Sequence, residues 1–298
     1  MKQVSLAGVC PPIITPFDDS GAVAHDKFAE NIARWCKTPL AGFAVLGTNG
    51  EFPYLSEQEK LDVFRTARQA IPRDRLFIAG TTCESTRSTL QLTEDAAKIG
   101  AEVALVLTPG YFKSQMDMAA MKRHYLELAA HSPLPIILYN MPACSSVDLT
   151  PETVIELAQN PKIIGMKDSS GNVVKAGAVI RAAPGFQVLA GSASFLYPFL
   201  LLGAVGGINA LANIAPVECC QLYQLAKEGR HEEARQLQLQ LIPANSAVTA
   251  RLGVPGLKQA MDWLGYYGGK PRLPLGTLDQ NQQASLRKAL VDSKLMPA

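Results

Sequence analysis

Eight short runs rich in valine, isoleucine and leucine recur along the chain, at 9–15, 42–47, 76–80, 103–108, 136–140, 163–167, 187–191 and 206–211. Their ends advance by about 28 residues at a time. That step leaves room for one helix between successive runs, which is the pattern of repeated strand–helix units. The intervening segments carry helix signals. Ser56 followed by Glu59 is a capping box, and Leu61, Phe64 and Ala67 supply an apolar stripe over 56–70. Segment 85–99 places Leu90, Ala97 and Ile99 inward, and Thr150 before Pro151 opens a helix over 151–159. Eight units within about 210 residues predict a (β/α)8 barrel over residues 1–216. The competing fold is a doubly wound sheet. Its G-x-G-x-x-G turn is missing: the nearest approach, Gly203-Ala204-Val205-Gly206-Gly207-Ile208, lies inside or before a strand. After Glu218 the strand rhythm stops. Residues 217–298 read as helices packed on the barrel, at 218–226, 231–243, 256–263 and 281–292.

Charge and composition exclude several classes. Of 298 residues, 48% are hydrophobic and 18% charged, which rules out a disordered chain. A net charge of +2 gives no basic surface for nucleic acid or an anionic membrane. Cys10, Cys36, Cys83, Cys144, Cys219 and Cys220 form no C-x-x-C motif and read as reduced thiols of a cytoplasmic protein. The first ten residues hold no apolar core or Arg-rich leader, so neither a signal nor a transit peptide is expected. No charge occurs between Arg181 and Glu218, yet Pro184, Pro198, Pro216 and five glycines interrupt that stretch. It reads as two buried strands flanking a short buried helix, or one facing a partner subunit, and not as a membrane span.

In a barrel of this kind the chemistry sits at the C-terminal ends of the strands. Lys167 follows the apolar run Ile163-Ile164-Gly165-Met166, where a solvated lysine is out of place. An amine there loses hydration, which favours its neutral, nucleophilic form and so a Schiff base with a carbonyl substrate. The structural alternative is an ion pair with Asp168 or Glu51. Tyr139 ends another apolar strand, either as a core residue or as the proton carrier that a Schiff-base lysine needs. Thr48 either relays protons or caps its turn, and the Gly47–Gly50 turn offers backbone N–H groups to a carboxylate. Together these fit a 2-oxo acid. His25, His124, His131 and His231 show no metal-ligand spacing, and neither a G-x-S-x-G elbow, a P-loop nor paired strand-end carboxylates occur. Cys83 is read as a small buried residue without a role. No metal or organic cofactor is expected.

Gly47-Thr48-Asn49-Gly50-Glu51, Tyr139-Asn140-Met141-Pro142 and Gly165-Met166-Lys167-Asp168 together resemble the dihydrodipicolinate synthase / N-acetylneuraminate lyase family of class I aldolases. Within it, the segments 47–54, 83–86, 189–193, 203–207 and 261–269 are most similar to the 4-hydroxy-2-oxoglutarate aldolase branch. The resemblance implies that Lys167 forms a Schiff base with a pyruvate-yielding 2-oxo acid and that Tyr139 shuttles the proton. It implies that Thr48 joins the relay together with Tyr111, lent by a neighbouring subunit. It also implies that Asn49 holds the carboxylate through its N–H, that Ser169 lines the site, and that Gly191 and Ile208 lie near the bound ligand. A homotetramer built as a dimer of dimers is expected. Two departures bear on substrate. Cys144 stands where dihydrodipicolinate synthases carry an arginine for a second carboxylate, a loss worth about 2–5 kcal/mol. Ser192-Ala193-Ser194 stands where neuraminate lyases carry acidic residues. The expected reaction is cleavage of 4-hydroxy-2-oxoglutarate to pyruvate and glyoxylate. The rivals are dihydrodipicolinate synthase or another pyruvate-dependent relative, and a silent 2-oxo-acid sensor.

Overall fold

The computed structural model describes residues 4–297, so the first three residues of the segment read for a leader lie outside it. Eight parallel strands form the centre: β1 Gly8–Cys10, β2 Gly42–Val45, β3 Leu76–Gly80, β4 Val103–Leu107, β5 Ile136–Asn140, β6 Ile163–Asp168, β7 Gln187–Ala190 and β8 Gly206–Ile208. Their order around the sheet is β1-β8-β7-β6-β5-β4-β3-β2. The two end strands approach each other through Ala41 N–H to Val9 C=O, Ala44 N–H to Pro11 C=O and Ile13 N–H to Ala44 C=O, each 2.9 Å. The result is a nearly closed (β/α)8 barrel. Strands covered on both faces need apolar residues at nearly every position, which is why they read as continuous runs. One face fills the barrel with Cys10, Ala44, Ile78, Leu105, Ile137, Leu189 and Ile208, and the other meets the helices.

Around the sheet lie α1 His25–Trp35, α2 Glu57–Ala70, α3 Thr86–Ile99, α4 Met118–His131, α5 Pro142–Ser145, α6 Pro151–Leu157, α7 Val173–Ala182 and α8 Leu196–Leu201. After β8 come α9 Pro216–Lys227, α10 His231–Ser246, α11 Gly253–Trp263 and α12 Gln280–Asp292. The capping signals act as read: Ser56 and Glu59 close the box on α2, and Thr150 caps α6. Three readings shift. In α3 the buried side chains are Thr89, Leu92, Thr93 and Ala96, while Leu90, Ala97 and Ile99 are only half-buried. The threonines face inward because their hydroxyls bond to the preceding turn and to Thr81, which satisfies them without water. In α2, Val63 takes the buried place given to Leu61. The apolar helix α8 buries Leu196 and Phe199, but leaves Leu201 53% and the adjoining Leu202 41% exposed. No helix among the described residues is long and apolar enough to cross a membrane, and the six cysteines are free.

The C-terminal segment is strapped to the barrel by Arg272. Its guanidinium bonds Glu59 at 2.7 and 3.0 Å, the Tyr54 carbonyl at 2.8 Å and the Gly21 carbonyl at 2.6 Å, and lies 4.3 Å over the Phe17 ring. These bonds pull the Glu59 carboxyl down to about 2. A carboxyl that is more acidic in the fold than in the unfolded chain stabilises the fold above its ordinary value of 4.5, and loses that contribution as pH falls toward 2. Thermal unfolding between pH 5 and pH 3 should therefore show wild type losing more stability than Glu59→Gln. Because the pair is partly exposed, the difference should be about 2 °C in Tm.

Candidate active site

Strand register brings the chemistry together. β5 and β6 pair so that Tyr139 stands opposite Lys167, and Asn140 opposite Asp168. Side chains alternate along a strand, so Tyr139 and Lys167 share the inner face while Asn140 and Asp168 point outward. Lys167 is 2% exposed, and its Nζ lies 3.9 Å from the centroid of the Tyr139 ring. Thr48 Oγ1 lies 3.1 Å from Tyr139 Oη, close enough for a proton to pass between them.

Both carboxylates considered as partners of Lys167 are engaged elsewhere. Asp168 accepts from Asn140 Nδ2 at 2.7 Å, the Ser170 hydroxyl at 2.8 Å and the Ser170 N–H at 3.2 Å. Asn140 also donates to Asp148 at 2.8 Å, and Asp148 pairs with the buried Lys175. Glu51 forms an ion pair with Lys258 at 2.6 Å, with both side chains 1% exposed, and accepts from the Arg272 N–H at 2.8 Å. Burial pushes the Lys258 ammonium down from the ordinary lysine value, and Glu51 pushes it back up. Among the described residues no carboxylate forms an ion pair with Lys167.

The loop after β2 makes a 3₁₀ turn over Thr48–Gly50 and passes through Glu51 in the left-handed region, φ 53°. Thr15 Oγ1 pins it by donating to the Gly50 carbonyl at 2.8 Å. Among the described residues the N–H groups of Thr48 and Asn49 have no acceptor, which leaves them available to an anion. Ser169 and Gly191 sit at the ends of β6 and β7. A Cβ at position 191 would fall 2.0 Å from Ser169 Oγ, so only glycine leaves that hydroxyl its place.

Thr48, Asn49, Tyr139, Lys167, Ser169 and Gly191 all line one cavity of about 600 Å³. Ile208 lies below it in the barrel interior, in one cluster with Tyr139 and Leu189. Tyr111 is elsewhere: 76% exposed on the loop after β4, its ring 5.1 Å from that of Phe112 and its N–H bonded to Glu84 at 3.0 Å. Cys144, on α5, lines the cavity; burial pushes its thiol up, opposed by the charge of Lys167. Lys167 is the one charged side chain among the described residues lining the cavity.

The opposite wall was not anticipated from sequence. Asn245, Ser246 and Thr249 reach the cavity from α10 and the π-helical turn Ala247–Arg251. Asn245 donates to Ser192 Oγ at 2.9 Å and Ser194 Oγ at 2.6 Å, joining the loop after β7 to the C-terminal helices. A signal existed: residues 236–250 carry no charge, although the helix read at 231–243 stops at Pro243, whereas α10 continues through it to Ser246. Among the described residues no three His, Cys, Asp or Glu side chains are grouped as a metal site requires.

Comparison with known proteins agrees in scale with the whole chain. The model of the dihydrodipicolinate synthetase family matches residues 5–293. A DapA-like lyase of Halobacterium salinarum is 34% identical over 293 residues, 98% of this chain and 96% of that one. The 4-hydroxy-tetrahydrodipicolinate synthase of Caldicellulosiruptor bescii is 31% identical over 280 residues, 94% of each chain. The crystal structure of the dihydrodipicolinate synthase from Acinetobacter baumannii complexed with pyruvate superposes with a TM-score of 0.92 at 30% identity, covering 97% of this chain and 99% of that one.

The buried Glu51–Lys258 pair behind the Thr48 turn yields a stability test. Lys258→Met strands a buried carboxylate and should cost about 3–5 kcal/mol in denaturant unfolding. The double variant Glu51→Gln/Lys258→Met should recover part of that loss. Equal losses in the single and double variants would contradict the pairing.

Proposed function

This chain belongs to the dihydrodipicolinate synthetase family of pyruvate-dependent, Schiff-base carbon–carbon lyases, and on that premise we propose that it cleaves a 4-hydroxy-2-oxo acid, specifically 4-hydroxy-2-oxoglutarate, to pyruvate and glyoxylate. The observation that carries the mechanism is Lys167, dry and without a carboxylate partner, held beside Tyr139, whose hydroxyl meets Thr48.

In this reading Lys167 Nζ adds to the 2-oxo carbon and water leaves, giving an iminium ion. The open N–H groups of Thr48 and Asn49 hold the adjoining carboxylate. Tyr139 takes the proton of the 4-hydroxyl through the relay with Thr48. The C3–C4 bond breaks, its electron pair moves into the iminium, and glyoxylate departs. The enamine is reprotonated at C3 from Tyr139, water adds back, and pyruvate leaves with the amine restored. Tyr111, exposed in the single chain, enters the relay of a neighbouring subunit in an oligomer. Ser169 and the backbone at Gly191 shape the space around the adduct, and Ile208 packs in the barrel interior against the cluster that holds Tyr139.

The substrate reading is supported by Cys144, whose neutral thiol replaces the arginine that meets the carboxylate of aspartate semialdehyde in dihydrodipicolinate synthases, and by the likeness of five segments to the 4-hydroxy-2-oxoglutarate aldolase branch. The names of the relatives favour a second reading: condensation of pyruvate with aspartate semialdehyde at the same lysine. Side-by-side assays separate the two. Glyoxylate release from 4-hydroxy-2-oxoglutarate, without condensation of aspartate semialdehyde, is expected; the reverse result would install the second reading.

Tyr139→Phe keeps the ring but removes the proton carrier. It should lower kcat by about 10²–10⁴. A loss below tenfold would remove Tyr139 from the proton path. Activity should also withstand a chelator, measured as pyruvate release with and without EDTA.

A further inference from the structure

The far wall of the cavity holds an arrangement that the reaction above does not use. Ser192 and Ser194 both line the cavity and are half-buried. A single nitrogen, Asn245 Nδ2, donates to both hydroxyl oxygens, at 2.9 and 2.6 Å. Asn245 is 1% exposed, and its own Oδ1 is buried without a partner, so the two serine bonds are what orient the amide. A hydroxyl has one hydrogen to give. Among the described residues neither serine hydroxyl donates to a protein acceptor. Their oxygens accept from the amide, Ser192 Oγ also from the Ser194 N–H at 3.4 Å, and both hydrogens remain unspent beside the cavity that the two serines line. Two hydroxyls held by one nitrogen lie close together, and two neighbouring donors suit a single group with two acceptor oxygens, as a carboxylate has.

We infer that Ser192 and Ser194, positioned by Asn245, bind the terminal carboxylate of the substrate, so that the site selects a 2-oxo dicarboxylic acid. The inference rests on the retro-aldol reading above, whose substrate is such an acid, and names the residues that hold its far carboxylate. It also answers how a second carboxylate is held with no arginine among the lining residues: two neutral donors bind it, and the iminium formed on Lys167 supplies the only positive charge of the cavity wall. Asn245 is a positioning residue here, acting through the serines, and α10 thereby becomes part of substrate selection.

The test compares two substrates that differ at the far end alone: 4-hydroxy-2-oxoglutarate, ending in a carboxylate, and 4-hydroxy-2-oxopentanoate, ending in a methyl group. Both release pyruvate, and the readout is the ratio of their kcat/KM values. General damage to the fold lowers both terms, whereas lost recognition lowers the ratio. Wild type should favour the dicarboxylate by tenfold or more. Ser194→Ala should lower the ratio by about tenfold. Asn245→Asp, equal in size but an acceptor, takes up the serine hydrogens and places a negative charge behind them, and should bring the ratio to one or below. A wild-type ratio near one, or a ratio unchanged in both variants, would overturn the inference. Cleavage of neither substrate by wild type would instead overturn the retro-aldol reading and the inference with it.

Discussion

Among the described residues three lysines are buried, and they are treated unequally. Lys175 has Asp148, and Lys258 has Glu51 at 2.6 Å. Lys167, equally dry, has an aromatic face instead of a carboxylate. Burying an unpaired charge in a protein interior is costly unless the group sheds its proton or gains a partner. In the proposed mechanism, the amine left without a carboxylate is the one that bonds covalently to the substrate. The rest of the barrel mouth is arranged around this exception.

The arrangement depends on keeping carboxylates away. Asp168 is the immediate neighbour of Lys167 in sequence, yet strand alternation turns it to the opposite face. There Asn140 and Ser170 satisfy it, and Asn140 links it to Asp148 and through that to Lys175. Glu51 is adjacent to the Thr48 turn, and Lys258 from α11 draws it off the site. Neither Asp148 nor Glu51, the carboxylates of the two ion pairs, pairs with Lys167. The C-terminal helices contribute on two sides: α11 supplies Lys258, and α10 supplies Asn245 to the far wall. They are part of the site as well as a cover for the barrel.

Much of this was legible in the chain. Strands buried on both faces are continuous apolar runs, so their number and approximate places could be read directly, although β1 and β8 stop at Cys10 and Ile208, short of the ends of the runs 9–15 and 206–211. Lys167 and Tyr139 stood out because each interrupts such a run at its exit. What could not be read were relations set by packing between distant segments. The partners of Glu51 and Asp168 depend on which face each carboxylate takes and on a lysine more than 200 residues away in the case of Glu51. Asn245 lies 53 residues beyond Ser192, past Pro243 where the helix read from sequence stopped. The inward threonines of α3 escaped notice for a related reason: their hydroxyls are satisfied locally, so polar residues occupy positions where a hydrophobic pattern expects leucine.

The central claim, that the unpaired amine of Lys167 bonds covalently to a 2-oxo acid, is open to one direct measurement. The intact protein is incubated with pyruvate, reduced with borohydride, digested and mapped by mass spectrometry. The account predicts a reduced adduct on the peptide carrying Lys167, absent when pyruvate or borohydride is omitted and absent in Lys167→Ala. An adduct on another lysine, or none at all in a folded protein, would contradict it.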